Sequence, residues 1–165
     1  MKFASRRIAA VAAAVLAISA LTGVAESGSA SAASYTFLCA VNPDFGTSAP
    51  ACLLSNGIGA RISAETARTG TTNWIYPNVN GEEGEIQQAN TNLCMQVNAS
   101  DSDYVRGASC VGDAAEEWIN SYNPEYHETM FISAWNTSLC LTIPATGFAQ
   151  VDSCSTSNVA QQWAS

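Results

Sequence analysis

The sequence has one histidine, few basic residues and no two cysteines in a Cys-x-x-Cys pair. Any catalytic triad or imidazole metal site would therefore have to include His127. Without a Cys-x-x-Cys pair and a second histidine, the six cysteines do not match a zinc site. We therefore expect neither a metal nor another cofactor. His127 lies in the polar stretch 124–128, which is typical of a surface loop.

No segment after residue 32 sustains the 3.6-residue apolar period of an amphipathic helix. Short β-rich segments such as 129–135 and 139–143 occur instead, bounded by Asn, Gly, Pro and Ser. This is the pattern of short strands joined by turns. The sequence therefore predicts an all-β domain, and a closed one, because closure removes exposed sheet edges.

The amino-terminal segment has the composition of an export signal. Basic residues are followed by an apolar run at 8–21 and by an Ala-x-Ala cleavage sequence at 30–32. The run is shorter than the roughly 20 residues that a membrane-spanning helix needs. We predict that 1–32 is a cleaved signal peptide and that 33–165 is secreted and extracellular. An arginine doublet at 6–7 leaves both the general secretory and the twin-arginine export routes open.

Positive charge is scarce in the mature part. Loss of the leader removes Lys2, Arg6, Arg7 and Glu26, so the formal net charge moves from -8 to -10. The three basic residues that remain are Arg61, Arg68 and Arg106. Such an acidic surface repels phosphate backbones and anionic lipid, so we expect no nucleic-acid partner and no membrane insertion after leader removal.

An internal repeat is the main feature of the mature sequence. The segment 90–94 reappears in altered form at 136–140, and each copy ends in a cysteine followed by an apolar-polar-apolar triplet. A second cysteine follows after 16 residues in one copy and after 14 in the other. A tryptophan then closes each copy, at Trp118 and Trp163. The four matches in one order indicate repeated structural units.

The first copy of the repeat is less regular than the other two. Cys52 begins it and Trp74 closes it, but Thr66 stands in the place of the second cysteine. The three closing tryptophans are predicted to form the core layer of the three units, because buried tryptophan is the common case. An aromatic platform for a sugar is the alternative for these rings.

Six cysteines in an exported chain indicate disulfides. The repeat supports two bridges, and elimination supplies a third, among the 15 pairings that six cysteines allow. The predicted pairs are Cys94–Cys110, Cys140–Cys154 and Cys39–Cys52. Each bridge would close a loop of about 15 residues and stabilise the domain by roughly 3 kcal/mol.

The order of these residues resembles the ricin B-chain type of β-trefoil lectin, which also occurs as a carbohydrate-binding module on secreted glycosidases. The Gln-x-Trp signature of that family is complete at 161–163. The corresponding segments read Glu-Glu-Trp at 116–118 and Thr-Asn-Trp at 72–74. The resemblance implies a β-trefoil with Gln161 among its structural core residues. Its three repeats would cover about 35–78, 79–122 and 123–165.

The resemblance also implies a sugar site, but the usual contact residues are missing. The family commonly has an aspartate two residues after the first cysteine, and this chain has Leu54, Gln96 and Thr142 there. Gln96 with Tyr104 is the better candidate ligand-binding pair, and Thr142 with Asp152 is the second. Such side chains can bond sugar hydroxyls, and a tyrosine ring can stack on a sugar. The alternative is that Gln96 is a solvated strand residue and that Tyr104 packs against its own loop.

Two acidic segments, 82–85 and 116–117, are the remaining candidates for catalysis, because glycosidases use a pair of carboxyl groups. Their setting is typical of solvated turns, so we do not expect an enzyme. We expect a non-catalytic carbohydrate-binding domain whose partner is a glycan or polysaccharide. The alternative is a β-trefoil scaffold that has lost sugar binding and contacts an extracellular protein, for example as an inhibitor or envelope-associated protein. The sequence leaves the sugar and the oligomeric state open.

Overall fold

The computed structural model describes residues 36–40, 50–65, 73–98, 100 and 103–164. Every described residue belongs to one compact unit, Ala32–Ser165. The signal peptide predicted at 1–32 and the position of Thr66 therefore lie outside the described residues. No helix in the described ranges is long and apolar enough to cross a membrane.

Short strands dominate the described part of the chain. The first five are β1 Thr36–Phe37, β2 Cys39–Ala40, β3 Ala51–Leu54, β4 Ser63–Glu65 and β5 Asn73–Ile75. The next five are β6 Glu83–Glu85, β7 Gln87–Gln88, β8 Leu93–Val97, β9 Val105–Ser109 and β10 Glu117–Asn123. The last four are β11 Glu128–Ser133, β12 Leu139–Thr142, β13 Gln150–Ser153 and β14 Trp163–Ala164, with a 3-10 helix at Val159–Gln161.

Eight of these strands form a closed antiparallel barrel. β5 pairs with β1 and β7, β10 pairs with β6 and β11, and β14 pairs with β11 and β2. The pieces β1 and β2 are interrupted at Leu38, and β6 and β7 are interrupted at Ile86. These two residues bond to hairpin strands instead, since their carbonyls accept from the amides of Leu53 and Met95 at 2.9 Å each. Counted with β1–β2 and β6–β7 as interrupted strands, the pairings close the barrel.

The other six strands form three hairpins, β3–β4, β8–β9 and β12–β13, which meet at one point. There the amide of Ile62 donates to the carbonyl of Val105, and that of Val105 donates to Ala149. The amide of Ala149 closes the cycle by donating to Ile62, and each bond is 2.9 Å long. The cycle places these buried residues around a pseudo-three-fold axis. A closed barrel with three hairpins in this symmetry is a β-trefoil, which confirms the predicted fold class.

The three tryptophans that close the repeats are fully buried. Each indole Nε1 donates to the backbone carbonyl of the residue that follows the first cysteine of its own repeat. The three bonds are Trp74 to Leu53 at 3.0 Å, Trp118 to Met95 at 3.1 Å and Trp163 to Leu141 at 3.2 Å. The rings therefore lie within the core layer and present no face to solvent.

Three disulfides staple this fold, and they have the pairing that the sequence predicts. The bridges are Cys39–Cys52, Cys94–Cys110 and Cys140–Cys154. The first joins directly opposed residues of the barrel strand β2 and the hairpin strand β3. The other two each link the first strand of a hairpin to the residue after its second strand. This difference explains why the first repeat departs from the cysteine spacing of the other two.

Candidate functional site

Gln96 and Tyr104 lie on the same outer face of the β8–β9 hairpin. Gln96 is directly opposite Arg106 in the strand register, and Val97 is opposite Val105. Successive side chains of a strand point to opposite faces. Because Val97 and Val105 are buried in the core, the side chains of Gln96, Tyr104 and Arg106 point outward, and all three are half-buried. We call these three residues the second-repeat face.

Gln96 is held between a buried carboxylate and a cation. Its Nε2 donates to Oε1 of Glu116 at 3.2 Å, while its Oε1 accepts from Nε and Nη2 of Arg106 at 3.0 and 2.8 Å. Oε2 of Glu116 accepts from the amide of Val111 at 2.8 Å. A buried carboxylate is costly unless it is hydrogen-bonded and paired. Here the amide of Gln96 links the carboxylate to the guanidinium.

The solvated setting predicted for Glu116 is wrong, because only 1% of this residue is exposed. Glu116 takes the place that Gln161 has in the third repeat. Oε1 of Gln161 accepts from the amide of Ser155 at 2.8 Å, just as Oε2 of Glu116 accepts from Val111. Ser155 and Val111 each follow the second cysteine of their repeat. The Gln-x-Trp position is therefore an internal clamp in both repeats, and in the second repeat its side chain ends in a carboxyl group instead of an amide.

In the third repeat, the two predicted ligand-binding residues lie in different surroundings. Thr142 is buried; its Oγ1 donates to the carbonyl of Cys140 at 2.9 Å and accepts from Nε2 of Gln161 at 3.0 Å. Asp152 is exposed, lies opposite Cys140, and accepts a bond from the amide of Ser153 at 2.8 Å. Of the two, Asp152 is the residue that presents a polar group to solvent.

The ring of Tyr104 is part of a three-residue cluster near the pseudo-three-fold axis. The guanidinium of Arg61 lies 3.7 Å from the Tyr104 ring centroid, in cation–π geometry. The Phe148 ring packs edge-on at 6.3 Å between centroids, and 38% of Phe148 is exposed. The three residues are equivalent, since each precedes a member of the backbone cycle at 62, 105 and 149. Arg61 therefore covers one face of the tyrosine ring, and Phe148 is the more open aromatic surface.

Sequence reasoning missed Arg106 and Phe148 as candidate site residues. Phe148 had a signal in the sequence, because Phe148 and Tyr104 each stand six residues before the second cysteine of their repeat. Arg106 had no comparable signal. Its contact with Gln96 depends on the hairpin register, which cysteine and tryptophan spacings do not determine.

The acidic segments meet on the barrel surface. Glu117 on β10 lies opposite Glu85 on β6, and its carboxyl shares a hydrogen bond with Glu83. Desolvation, that hydrogen bond and the charges of Glu83, Glu85 and Asp113 raise the pKa of the Glu117 carboxyl. Oε2 of Glu82 accepts from the amides of the turn at 78–79 at 3.0 Å each. These carboxyl groups are therefore partly engaged in turn and strand contacts.

His127 lies in the exposed turn between β10 and β11. Its Nδ1 is 3.0 Å from the hydroxyl of Tyr122, and its backbone has a positive φ of 57°. Burial raises the pKa of the neighbouring Glu128 carboxyl, and the interaction with His127 acts in the opposite direction. The histidine thus occupies the surface turn in which the sequence places it.

One group of potential metal ligands occurs among the described residues, and its chemistry does not fit a metal. Glu85, Cys94 and Cys110 have ligand atoms within 4.8 Å of one another. The two sulfur atoms are joined in a disulfide, so neither is a thiolate that binds a metal. Oε1 of Glu85 accepts from the amide of Gly112 at 3.0 Å. The carboxylate thus acts as a contact of the local turn.

Comparison with known families gives one match. A model of the family described as "Ricin-type beta-trefoil lectin domain" matches residues 48–163. A search of proteins with curated descriptions finds no match.

Several solved structures share the fold. ThreeFoil, a designed three-fold symmetric protein, has a TM-score of 0.61 and 12% identity over 77% of this chain and 95% of that chain. The GlcNAcα1-4Gal-releasing endo-β-galactosidase from Clostridium perfringens has a TM-score of 0.62 and 12% identity over 79% of this chain and 31% of its own. Polyporus squamosus lectin, bound to Neu5Acα2-6Galβ1-4GlcNAc, has a TM-score of 0.50 and 18% identity over 79% of this chain and 43% of that chain. The chain thus spans less than half of the last two proteins. At such identities the likeness concerns the fold alone.

Proposed function

Because the chain belongs to the family of ricin-type β-trefoil lectin domains, we propose that it is an exported carbohydrate-binding module without catalytic activity. The observation that carries this proposal is the family match over 48–163, which includes the β8–β9 and β12–β13 hairpins. The ligand would be a glycan or polysaccharide outside the cell, bound without a cofactor.

The second-repeat face is the proposed site. It combines an arginine whose N–H groups suit sugar oxygens with a tyrosine ring and hydroxyl, and such a mixture of polar groups and an aromatic ring is typical of sugar sites. In the third repeat, Asp152 and the exposed ring of Phe148 form a second, smaller candidate. Thr142 would act there through its bond to Gln161, by holding the hairpin, rather than by touching a sugar.

The absence of catalysis is part of the proposal. A glycosidase of the common kind needs two carboxyl groups placed across a sugar bond, one of them a general acid. Glu117 has a raised pKa, but it shares a hydrogen bond with Glu83 and lies on an open barrel strand. The family provides binding domains, and the carboxyl contacts here are those of turns and strands.

Export is supported by the cysteines and by the predicted leader. Three disulfides and no free cysteine suit an oxidising compartment. The net charge of the mature part disfavours nucleic acid and anionic lipid surfaces.

A protein-contacting scaffold is the second candidate function. One observation favours it. Gln96 and Thr142 stand where the family usually contacts a sugar, but both hydrogen-bond to other residues of this protein. In that case the domain would retain the trefoil scaffold and bind a protein, as an inhibitor or an envelope-associated protein does.

Glycan-array binding and polysaccharide pull-down of the mature domain separate the two functions. We expect retention that a simple sugar inhibits and that Gln96→Ala weakens. Gln88→Ala is the matched control, because Gln88 is a half-buried glutamine on the barrel strand β7, outside both candidate sites. If the folded domain is retained on no glycan, carbohydrate binding is excluded and the scaffold function takes its place.

A further inference from the structure

We propose that the second-repeat face selects an anionic saccharide and that Arg106 binds its carboxylate or sulfate group. The inference rests on the proposed function and names the ligand class of the same site. The charge of the group that meets the ligand is the opposite of the one usual in the family, in which an aspartate accepts hydrogen bonds from neutral sugar hydroxyls. Here the corresponding residue, Gln96, turns its oxygen towards Arg106, so a cation forms the outer end of the site.

Arg106 is fixed by a chain of hydrogen bonds that begins in the core. Glu116 accepts from Nε2 of Gln96, so the amide oxygen of Gln96 has to point the other way, towards Arg106. A reversed amide would bring its NH₂ group, a donor, against the guanidinium, which has only donors, so no hydrogen bond could form between them. The buried Glu116 carboxylate thereby fixes the orientation of the Gln96 amide, and the amide fixes the orientation of the Arg106 guanidinium. Glu116 and Gln96 are positioning residues in this proposal.

One edge of the Arg106 guanidinium, the edge that Gln96 does not occupy, can bind an anion. The guanidinium has five N–H donors, and Gln96 takes bonds from Nε and Nη2 at 3.0 and 2.8 Å. The remaining donors, on Nη1 and Nη2, form the parallel pair that matches a carboxylate or a sulfate oxygen pair. Among the described residues, Arg106 forms no ion pair with a carboxylate, and its side chain is half-buried rather than enclosed. An anion thus has access to a pre-oriented fork.

Local charge and aromatic surface point to the same ligand. Arg61 pairs with Arg106 in an isolated antiparallel bridge between two hairpins, and opposed residues of such a pair share one face. Two of the three arginines after the leader are therefore neighbours, in a chain whose formal net charge is -8. The Tyr104 ring under Arg61 and the exposed Phe148 edge supply apolar surface for a sugar ring. A cation beside aromatic rings suits a charged saccharide better than a neutral one.

The test compares three probes of equal length on the mature domain: an oligomer of galacturonic acid, a sulfated galactose oligomer and a neutral galactose oligomer. Isothermal titration calorimetry gives the affinity ratio of each anionic probe to the neutral one. We expect a ratio well above one for at least one anionic probe, which also identifies the preferred anion. Arg106→Gln should lower that ratio about ten- to hundred-fold, the range of a hydrogen-bonded charge. Glu125→Gln, which changes the net charge by one unit in the exposed turn after β10, should leave the ratio unchanged.

Glu116→Gln tests the positioning chain. It restores the residue of the family signature, so the fold should persist with an unchanged melting temperature to within a few degrees. The amide of Gln96 then loses its orienting acceptor, and we expect the anionic-to-neutral ratio to fall while neutral binding is kept. Arg106→Lys retains the charge but not the parallel N–H donors of the guanidinium, so it should also lower the ratio. This variant replaces Arg106→Gln in the test if Arg106→Gln does not fold.

Three results would overturn the inference. If the neutral oligomer binds as tightly as both anionic ones, the ligand class is wrong although carbohydrate binding stands. If the anionic preference survives in folded Arg106→Gln or Arg106→Lys, the site is elsewhere. If an oligoglutamate peptide binds as tightly as the galacturonate, the partner is an acidic protein rather than a saccharide. Binding to none of the oligomers or array glycans would remove the proposed function as well.

Discussion

The indole of Trp118 donates a hydrogen bond to the backbone carbonyl of Met95 at 3.1 Å, across the interior of the second repeat. The corresponding tryptophans of the other repeats make the same bond, at 3.0 and 3.2 Å. No such repetition exists on the outer surface, where Arg61, Tyr104 and Phe148 occupy equivalent places. The three repeats therefore share what holds the fold together and differ in what they offer to a partner.

Trp118→Phe should destabilise the domain through this bond. The substitution removes the donor and leaves the Met95 carbonyl buried without its partner, which costs about 1–3 kcal/mol. Urea denaturation gives the free energy of unfolding. Trp135→Phe is the control, because 48% of Trp135 is exposed, and surface changes usually stay within about 0.5 kcal/mol. Equal losses for the two variants would contradict a structural role for the indole bond.

Removal of the Cys94–Cys110 bridge should lower stability by about 3 kcal/mol, because the bridge restricts the unfolded chain over a loop of about 15 residues. The double variant Cys94→Ala/Cys110→Ala avoids a lone thiol. Denaturant unfolding measures the loss, and Cys140→Ala/Cys154→Ala should lose a similar amount, since its loop has nearly the same length. An unchanged free energy of unfolding in either double variant would show that the bridge is not formed.

Gln161→Ala should destabilise the domain by about 2 kcal/mol or more, since it leaves buried polar groups without partners. Gln161 is fully buried and bonds Thr142, the Ser153 carbonyl and the Ser155 amide. Thermal denaturation compares it with Gln150→Ala, which changes a half-exposed glutamine on β13. A melting temperature equal to that of the control would mean that the Gln-x-Trp glutamine is not a structural clamp.

Glu117 should make stability depend on pH. A carboxyl group with a raised pKa in the folded state binds more protons when the protein is folded than when it is unfolded. The free energy of unfolding therefore falls as the pH rises through the window between the unfolded-state and folded-state pKa values. The window opens at the ordinary value of 4.5 and extends to the higher folded pKa. Above it, Glu117→Gln removes an unfavourable charge and should raise the melting temperature. Below pH 4.5 the variant and the wild type should converge.

Glu125→Gln is the matched control for this pH effect, because Glu125 lies exposed in the turn after β10. It removes the same charge away from Glu83 and Glu85. We expect the same melting temperature as the wild type on both sides of the window. A Glu117→Gln variant that melts at or below the wild-type temperature at neutral pH would contradict a raised pKa of the Glu117 carboxyl, which desolvation and the neighbouring carboxyl groups cause.

The scaffold was predictable because its residues recur at fixed spacings. The closing tryptophan recurs in all three repeats, and the cysteine pair recurs in the second and third, so one sequence contains several copies of the signal. The all-β class followed from short alternating segments between turn residues. Even the irregular first repeat was informative, since Thr66 in place of a cysteine pointed to a different bridge for Cys52.

The surface was less predictable because its contacts depend on register and on partners far apart in sequence. Arg106 meets Gln96 only in the observed pairing of β8 with β9, and a slip of one residue would turn the arginine inward. Glu116 looks like a solvated acid beside Glu117. It is buried and hydrogen-bonded by the Val111 amide and by Gln96, which is twenty residues away in the sequence. The pairing of a glutamine with an arginine does not recur in the other units, where Thr142 faces Gln150 and Leu54 faces Ser63, so no second copy could reveal it.

Residue-resolved NMR titration of the mature domain with the array's best glycan tests carbohydrate binding most directly. Amide shifts report contact at each strand and show at once whether the protein is folded. We expect saturable shifts confined to the β8–β9 hairpin and to the neighbouring residues around Arg61 and Phe148. A well-dispersed spectrum that no glycan perturbs, at ligand concentrations up to the millimolar range, would contradict a carbohydrate-binding function.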